Sequence, residues 1–311
     1  MPEVLPHELK TIIFKAAAYD DLKCALSLVR VAKYVRDMIL PIIYEDIVLE
    51  TAYAATCLSR TVRSYPYGHF QPKSILVSQF VPSATLDALF PAISTSVVKL
   101  CIYRNSSNED SGLRSIQSTS ISHLALVGQS KATGTLPIHL FPSITHLALV
   151  SRDQRQPMTK AIELADILRR NTTILGSILD GATSFLPPFR SLTHFACFTC
   201  FFGHYDEKFS PKLHMPALRC CAILQKRLED EHSVGRIASL AKAWEDPRVV
   251  ILEYSEDPAR WYSTDDTDLS KFWAMVEELV AEHRFYGRRK WDESVIKKFR
   301  QENPQIRLLG Y

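Results

Sequence analysis

Three histidines recur at one position of a repeated seven-residue phrase, and their type and spacing are suited to chemistry. His123 is the third residue of ISHLALV, His146 of ITHLALV and His194 of LTHFACF. Imidazole nitrogens bind zinc and change charge near neutral pH, so a row of them would form a metal site or a pH-sensitive binding patch. The other interpretation is that the histidines are inherited with the repeat, each bonded to water or to a neighbour. The second interpretation is favoured, and no metal and no cofactor are expected.

Two cysteine pairs form a second constellation. Cys197 and Cys200 make a C-x-x-C, and Cys220 and Cys221 follow it. Two such pairs suit a tetrahedral zinc ion. Cys197 and Cys221 fall at inward positions of the strand pattern, however, and a buried free cysteine behaves as a small hydrophobe, which favours core filling. The sequence contains no phosphate-cradling glycine loop, no G-x-S-x-G and no H-E-x-x-H, so we predict no catalytic residue and do not expect an enzyme.

The repeated phrase predicts the strands that position these side chains. Its form is apolar-x-x-apolar-x-apolar, and a strand alternates its side chains between two faces. The fourth and sixth positions should therefore face one side and the third and fifth the other. The phrases that begin at Val97, Ile121 and Ile144 lie 24 and 23 residues apart (121 − 97 and 144 − 121). This interval is within the roughly 20–29 residues of leucine-rich repeats.

Further copies of the phrase extend the predicted sheet. They begin at Tyr44, Leu192, Leu218 and Val249, and residues 73–77 are predicted to form a further strand that matches the phrase less well. The interval of 48 residues from Ile144 to Leu192 (192 − 144) leaves room for one degenerate unit. Return helices are predicted at residues 84–90, 159–170 and 233–244 because apolar residues recur there at helical spacing.

Both ends of the chain are predicted to be helical. Near the N terminus, Leu9, Ile12 and Ile13 share a helix face, and Asp20-Asp21 marks a break before a second helix. Pro41 is predicted to end this N-terminal helical block. Near the C terminus, an apolar face is formed by Leu269, Phe272, Trp273, Val276, Leu279 and Val280. We predict that this last helix caps the open end of a stack of repeats.

The composition bounds the class of protein. The 311 residues are 46% hydrophobic and 23% charged, which is typical of a globular protein. A net charge of +3 argues against a dedicated nucleic-acid binder, which would need a concentrated basic face. Seven cysteines, an odd number, indicate a reducing compartment rather than a disulfide framework. Neither a signal peptide nor a membrane-spanning stretch is visible, so the cytoplasm or nucleus is expected, with no membrane partner.

The first 45 residues or so carry a phrase that resembles an F-box. It runs Leu5-Pro6-His7-Glu8-Leu9, then Ile12-Ile13, then Leu26-x-Leu28-Val29-x-x-Ala32-Lys33-x-Val35-Arg36, then Leu40-Pro41-x-x-Tyr44. Together with the divergent repeats behind it, the chain looks like the F-box-like leucine-rich-repeat proteins of mushroom-forming (basidiomycete) fungi.

The resemblance implies an α/β (α+β) protein in three parts. An F-box-like three-helix domain would occupy residues 1–43, an irregular leucine-rich-repeat-like solenoid with a parallel sheet residues 44–260, and a helical cap residues 261–311. The chain would recruit substrates to an SCF-type cullin-RING ubiquitin ligase and carry no catalysis of its own. Its partners would be a Skp-family adaptor with the cullin complex, and an unknown target protein.

The resemblance also implies which residues bind. The adaptor-binding set is Leu5, Pro6, Leu9, Ile12, Ile13, Leu26, Val29 and Val35. The target would lie on the concave face of the strands, where the exposed positions are predicted to be Lys99, His123, His146 and His194, with Ala125 and Ala148 between them. Two other hypotheses stay open. One is a repeat-based interaction scaffold whose helical block is only an N-terminal cap, and the other is a hydrolase or metal enzyme that uses the histidine row.

Overall fold

Helices and one sheet make up the part of the chain that the structure, a computed structural model, describes. Those residues are 5–64, 70–104, 118–128, 142–150, 191–199, 217–226, 248–254, 272–281, 297, 301 and 306–308. The helices are α1 (His7–Asp20), α2 (Leu22–Leu28), α3 (Lys33–Ile43), α4 (Ala52–Ser64), α5 (Ser83–Ile93) and α6 (272–281). The strands are β1 (Asp46–Leu49), β2 (Ser74–Val77), β3 (Lys99–Arg104), β4 (His123–Gly128), β5 (His146–Val150), β6 (His194–Thr199), β7 (Cys220–Lys226), β8 (Val249–Tyr254) and β9 (Ile306–Leu308).

Eight parallel strands lie side by side in chain order, from β1 to β8, and β9 pairs antiparallel with β8. The chain is therefore a mixed α/β protein, as the sequence predicts, and each predicted strand is present. The register keeps equivalent positions of the repeated phrase together, with His123 opposite His146 and His146 opposite His194. For β8 the predicted alignment is wrong. Val249, the first residue of its phrase, pairs with Cys221, the fourth residue of the preceding phrase. β8 is therefore shifted by three positions from the predicted alignment.

The starts of the strands from β2 to β7 repeat one hydrogen-bond arrangement. The Ser122 carbonyl accepts the N–H groups of Thr145 and His146 at 2.8 and 2.9 Å, and the Thr145 carbonyl accepts those of Thr193 and His194, both at 2.9 Å. The carbonyls of Glu45, Lys73, Val98 and Thr193 accept in the same way. The strands from β1 to β7 are thus joined in succession by an equivalent pair of bonds, as in a stack of repeated units.

The long interval between β5 and β6 adds no strand to the ladder. β5 pairs directly with β6, for example Leu147 with Phe195. The predicted degenerate unit therefore does not insert a strand between them. The predicted helix at residues 159–170 lies outside the described residues, as does the one at 233–244, whereas the helix predicted at 84–90 is confirmed as α5.

The two faces of the sheet are buried in different ways. The fourth and sixth positions, such as Leu124 and Leu126, form one core with side chains of α4 and α5, including Leu58 and Phe90. The opposite face carries the small residues Ala125, Ala148, Ala196 and Ala222, which share a second core with α6. Both layers follow from the period-two alternation of a strand.

Helix α6 is present as predicted, but its predicted role as an end cap is wrong. Its apolar face packs on the sheet face rather than over the last strand, and Trp273 contacts the rings of His146 and His194 in the middle of the ladder. The alanines leave room for a helix to approach the strands there. The outer edge of β8 is covered by β9 instead.

The N-terminal helices have a core of their own. It consists of Ala18, Ala25, Val35 and Ile39, all buried. The break at Asp20-Asp21 is confirmed, since the Asp21 side chain accepts the N–H of Lys23 at 2.9 Å and caps α2. The prediction that Pro41 ends the block is wrong. α3 continues to Ile43, because so late in the helix the proline removes one backbone donor without preventing the last turn.

None of the helices among the described residues is long and apolar enough to cross a membrane.

Candidate functional site

Large aliphatic side chains lie exposed on α1 and α2. Ile12 is 62% exposed, Ile13 52% and Leu9 47%. On α2, Leu22 and Leu26 are likewise exposed, four residues apart and therefore on one side of the helix. Leu5 and Pro6, just before α1, are also exposed. We call these residues the apolar face: Leu5, Pro6, Leu9, Ile12, Ile13, Leu22 and Leu26.

The residues of the apolar face do not belong to the core of the three-helix block. α1 and α2 contribute the buried residues Ala18 and Ala25 to the core of the block, and Phe14 and Leu28 pack against that core half-buried. The exposed aliphatic side chains of the apolar face lie outside it. Aliphatic residues that cluster in the open on adjacent elements are typical of a protein interaction site, whereas single exposed ones need no explanation.

Two members of the predicted adaptor-binding set do not lie on the apolar face. Val35 is fully buried in the core of the three helices, so the prediction that it contacts a partner is wrong. Val29 is half-buried against the same core. The sequence pattern does not separate these residues from the exposed ones, because both kinds are apolar at helical spacing. Leu22 was not in the predicted set, although its distance of four residues from Leu26 is visible in the sequence.

The three histidines form a stacked row across β4, β5 and β6. The ring centroids of His123 and His146 are 4.0 Å apart with an angle of 10° between the planes, and His146 and His194 stack identically. Each Nδ1 is bonded to the hydroxyl of the preceding residue, at 2.8 Å to Ser122, 2.8 Å to Thr145 and 2.7 Å to Thr193. The sequence shows a hydroxyl before every histidine of the phrase, but its function is visible only in the structure.

Glu277 of α6 fixes the proton position on His194. Its Oε1 lies 2.9 Å from His194 Nε2, and because a carboxylate only accepts, Nε2 carries a proton and donates it. In the neutral ring Nδ1 is then an acceptor, so Thr193 donates its hydroxyl proton to Nδ1. At His146 the neighbouring hydroxyl has a second partner, because Thr145 Oγ1 also lies 3.2 Å from the carbonyl oxygen of Ser122.

Helix α6 covers one end of the row. Trp273 meets the rings of His146 and His194 edge-on, at centroid distances of 5.4 and 5.2 Å. His194 is buried, whereas His123 and His146 are half-buried. The prediction that His194, Ala125 and Ala148 are exposed binding positions is wrong. His194 is buried beside Trp273 and Glu277 of α6, and both alanines are buried in the core shared with that helix.

Lys99 continues the row beyond His123. It lies opposite His123 in the register and is half-buried. Burial lowers the pKa of its amine, and Asp46, at the equivalent position of β1, acts in the opposite direction. Asp46, Lys99 and the three histidines thus occupy the equivalent position of their strands and form a column of polar residues across the sheet.

Burial and like charge hold the histidines neutral. Desolvation, with Lys99 and His194 nearby, lowers the pKa of His123 to about 4. Desolvation and the neighbouring histidines lower the pKa of His146 to about 3. Desolvation also lowers the pKa of His194, against the opposing effect of Glu277. At neutral pH the three imidazoles of the row are therefore uncharged.

We expect the protein to lose stability as the pH falls below about 6.5. The pKa values of His123 and His146 are about 4 and about 3 in the folded protein and about 6.5 in the unfolded chain, so the unfolded chain binds more protons between those limits. The free energy of unfolding should fall by about 1–2 kcal/mol per histidine between pH 7 and pH 5. Urea unfolding at pH 7, 6 and 5 measures it. A His123→Gln/His146→Gln variant should lose most of this dependence, and an unchanged pH profile in that variant would contradict the assignment.

The geometry of the row does not match a metal site. Stacked rings with a common orientation direct their Nε2 atoms side by side, not toward one centre. Among the described residues, no group of three or more His, Cys, Asp or Glu side chains is arranged to hold a metal ion. Cys220 and Cys221 are buried on opposite faces of β7, and Cys200 lies outside the described residues.

No protein-family model matches this chain, and no curated protein or solved structure is significantly similar to it.

Proposed function

We propose that this chain is a substrate-recruiting subunit of an SCF-type cullin-RING ubiquitin ligase. The three-helix block is F-box-like and binds a Skp-family adaptor, which links it to the cullin complex. The stacked strands behind it are an irregular leucine-rich-repeat-like domain and hold the target protein. Ubiquitin transfer takes place on partner subunits, and this chain contributes no catalytic residue.

The observation that carries the proposal is the apolar face. Ile12 and Ile13 are more than half exposed and lie outside the block's own core of Ala18, Ala25, Val35 and Ile39. Burying an aliphatic side chain contributes about 1.5–3 kcal/mol, so several exposed ones favour a second polypeptide as their cover. The Leu5-Pro6 phrase, exposed just before α1, is part of the F-box resemblance, and we assign it to the same surface.

A second observation supports the repeat half of the proposal. Eight parallel strands follow the chain order, and an equivalent pair of hydrogen bonds opens each step of the ladder from β1 to β7. An arrangement in which each unit contacts its neighbours is typical of proteins that act as extended binding surfaces. The described part of α6 contacts His146 and His194, so we assign the target to the other end of the row, at Lys99 and His123.

Co-purification tests the proposal. A tagged Skp-family adaptor should retain the wild-type chain, and a Leu5→Ala/Pro6→Ala variant should bind about tenfold more weakly, because two exposed contacts are lost. The matched control is Tyr53→Ala/Phe80→Ala, which removes two exposed aromatic side chains elsewhere and should bind like wild type.

Thermal melting of the same variants separates the adaptor from the scaffold hypothesis. Because Leu5 and Pro6 are exposed, their replacement should leave the melting temperature unchanged. If the variant melts lower and no adaptor binds even the wild-type chain, the block is an N-terminal cap on an interaction scaffold, and the ligase proposal fails.

A further inference from the structure

The three-helix block and the sheet meet at one peptide bond of the chain. Ile43, the last residue of α3, packs against the core of the block. Tyr44, the next residue, packs against the core of the sheet, and its ring centroid lies 4.5 Å from that of Phe70. Two units that are built on separate cores turn relative to each other unless further contacts restrain them.

Glu45 follows this bond, and its carboxylate contacts both units. Its Oε2 accepts the hydroxyl proton of Tyr19, on α1, at 3.2 Å. Its Oε1 accepts a proton from Nζ of Lys73, directly before β2. The backbone of Glu45 is fixed to the same strand, because its carbonyl accepts the N–H groups of Lys73 and Ser74 at 2.8 and 3.0 Å. One oxygen of the carboxylate thus bonds to the sheet and the other to the block.

The charges at this contact support the same arrangement. The hydrogen bond to Glu45, together with its negative charge, raises the pKa of Lys73. Desolvation, and then the charge of Glu45, raises the pKa of Tyr19. Asp46, the next acid along the chain, adds a smaller contribution in the same direction to both pKa values. At neutral pH the carboxylate of Glu45 therefore faces a cation and a neutral hydroxyl donor.

We propose that Glu45 is a positioning residue, which holds the three-helix block at one orientation to the sheet through Tyr19. When this contact is broken, the block turns about the connection between Ile43 and Tyr44. Tyr19 transmits the restraint because its neighbour Ala18 is buried in the core of the block, so the two move together. This device concerns the chain alone and does not rest on the proposed function.

Double electron–electron resonance on the full chain measures the orientation as a distribution of distances between two spin labels. One label replaces the exposed Lys23 on α2 and the other the exposed Ala88 on α5. Both are attached through azide-bearing amino acids, so that the native cysteines stay unlabelled. Tyr19→Phe removes one hydroxyl and should broaden the distribution about twofold. Tyr34→Phe, the same change at an exposed tyrosine of α3, should leave the width as in wild type.

Glu45→Gln tests the carboxylate itself. The variant keeps the shape of the side chain but removes the charge that pairs with Lys73, and it should broaden the distribution at least as much as Tyr19→Phe does. Glu50→Gln, the same change at an exposed carboxylate just after β1, is the matched control and should have no effect. Because Tyr19 and Lys73 lie at the surface, the melting temperature of each variant should stay within about 3 °C of wild type.

Each result decides the proposal. Equal widths in wild type, Tyr19→Phe and Glu45→Gln would overturn it, and so would the same broadening in the two controls. A lower melting temperature with an unchanged distribution would show that the contact only stabilises the fold, which also overturns it. If Glu45→Gln fails to fold, Tyr19→Phe decides alone, because it removes a single oxygen atom at the surface. No adaptor takes part, so failure here and failure of the ligase proposal are separate results.

Discussion

Replacing Ile12 and Ile13 with aspartate should abolish measurable binding of a Skp-family adaptor, with a loss of at least about 100-fold in affinity. Both side chains are more than half exposed in the free chain and would be central to the interface. Two carboxylates desolvated against an apolar groove oppose binding, in addition to the lost aliphatic contacts. Because neither residue belongs to the core of the block, the free energy of unfolding should change by less than about 1 kcal/mol.

Isothermal titration of adaptor into wild-type and variant chain measures this effect. The control is Tyr53→Asp/Phe80→Asp, which adds the same charge at two exposed apolar residues outside the block. The control should bind as the wild-type chain does. Equal affinity of the Ile12→Asp/Ile13→Asp variant and the wild-type chain would remove the apolar face from the interface.

Replacing Trp273 with alanine should lower the free energy of unfolding by about 3–5 kcal/mol. Trp273 is 5% exposed and contacts His146, His194 and Phe272, so its removal leaves a cavity between α6 and the sheet. Water entering that space would also relieve the desolvation that lowers the pKa of His146. The pKa of His146 should therefore rise from about 3 toward the ordinary histidine value.

Urea unfolding gives the stability change, and NMR titration of the histidine ring protons gives the pKa. Trp273→Phe serves as the control, since it keeps an aromatic ring over the row and should cost about half as much or less. If the alanine variant unfolds like wild type and the pKa of His146 does not move, α6 does not pack on the row as described.

The repeated phrase was sufficient to predict the ladder because its chemistry is local. A seven-residue phrase with apolar fourth and sixth positions specifies a strand and its inward face, and nearly identical phrases such as those at Ile121 and Ile144 pair in register. The alignment predicted at Val249 is wrong because β8 opens on the continuous apolar run Val249-Val250-Ile251-Leu252. No polar residue in that run marks which side chains face inward.

What the sequence left open depends on contacts between distant residues. The apolar face of α6 predicts that the helix is buried, but not that it packs on the alanines of the sheet rather than over its end. The hydrogen bond between Glu277 and His194 joins residues 83 positions apart, and no sequence pattern predicts it. The sequence does not distinguish the buried Val35 from the exposed Ile12 for a related reason. Helical periodicity identifies apolar residues but does not tell which of them face the neighbouring helices and which face solvent.

Hydrogen–deuterium exchange on the chain, alone and saturated with a Skp-family adaptor, tests whether the apolar face of α1 and α2 binds the adaptor. We expect slower exchange in α1 and α2 when the adaptor is bound, with β4, β5 and β6 unchanged. Exchange in α1 and α2 that is the same with and without adaptor would contradict it.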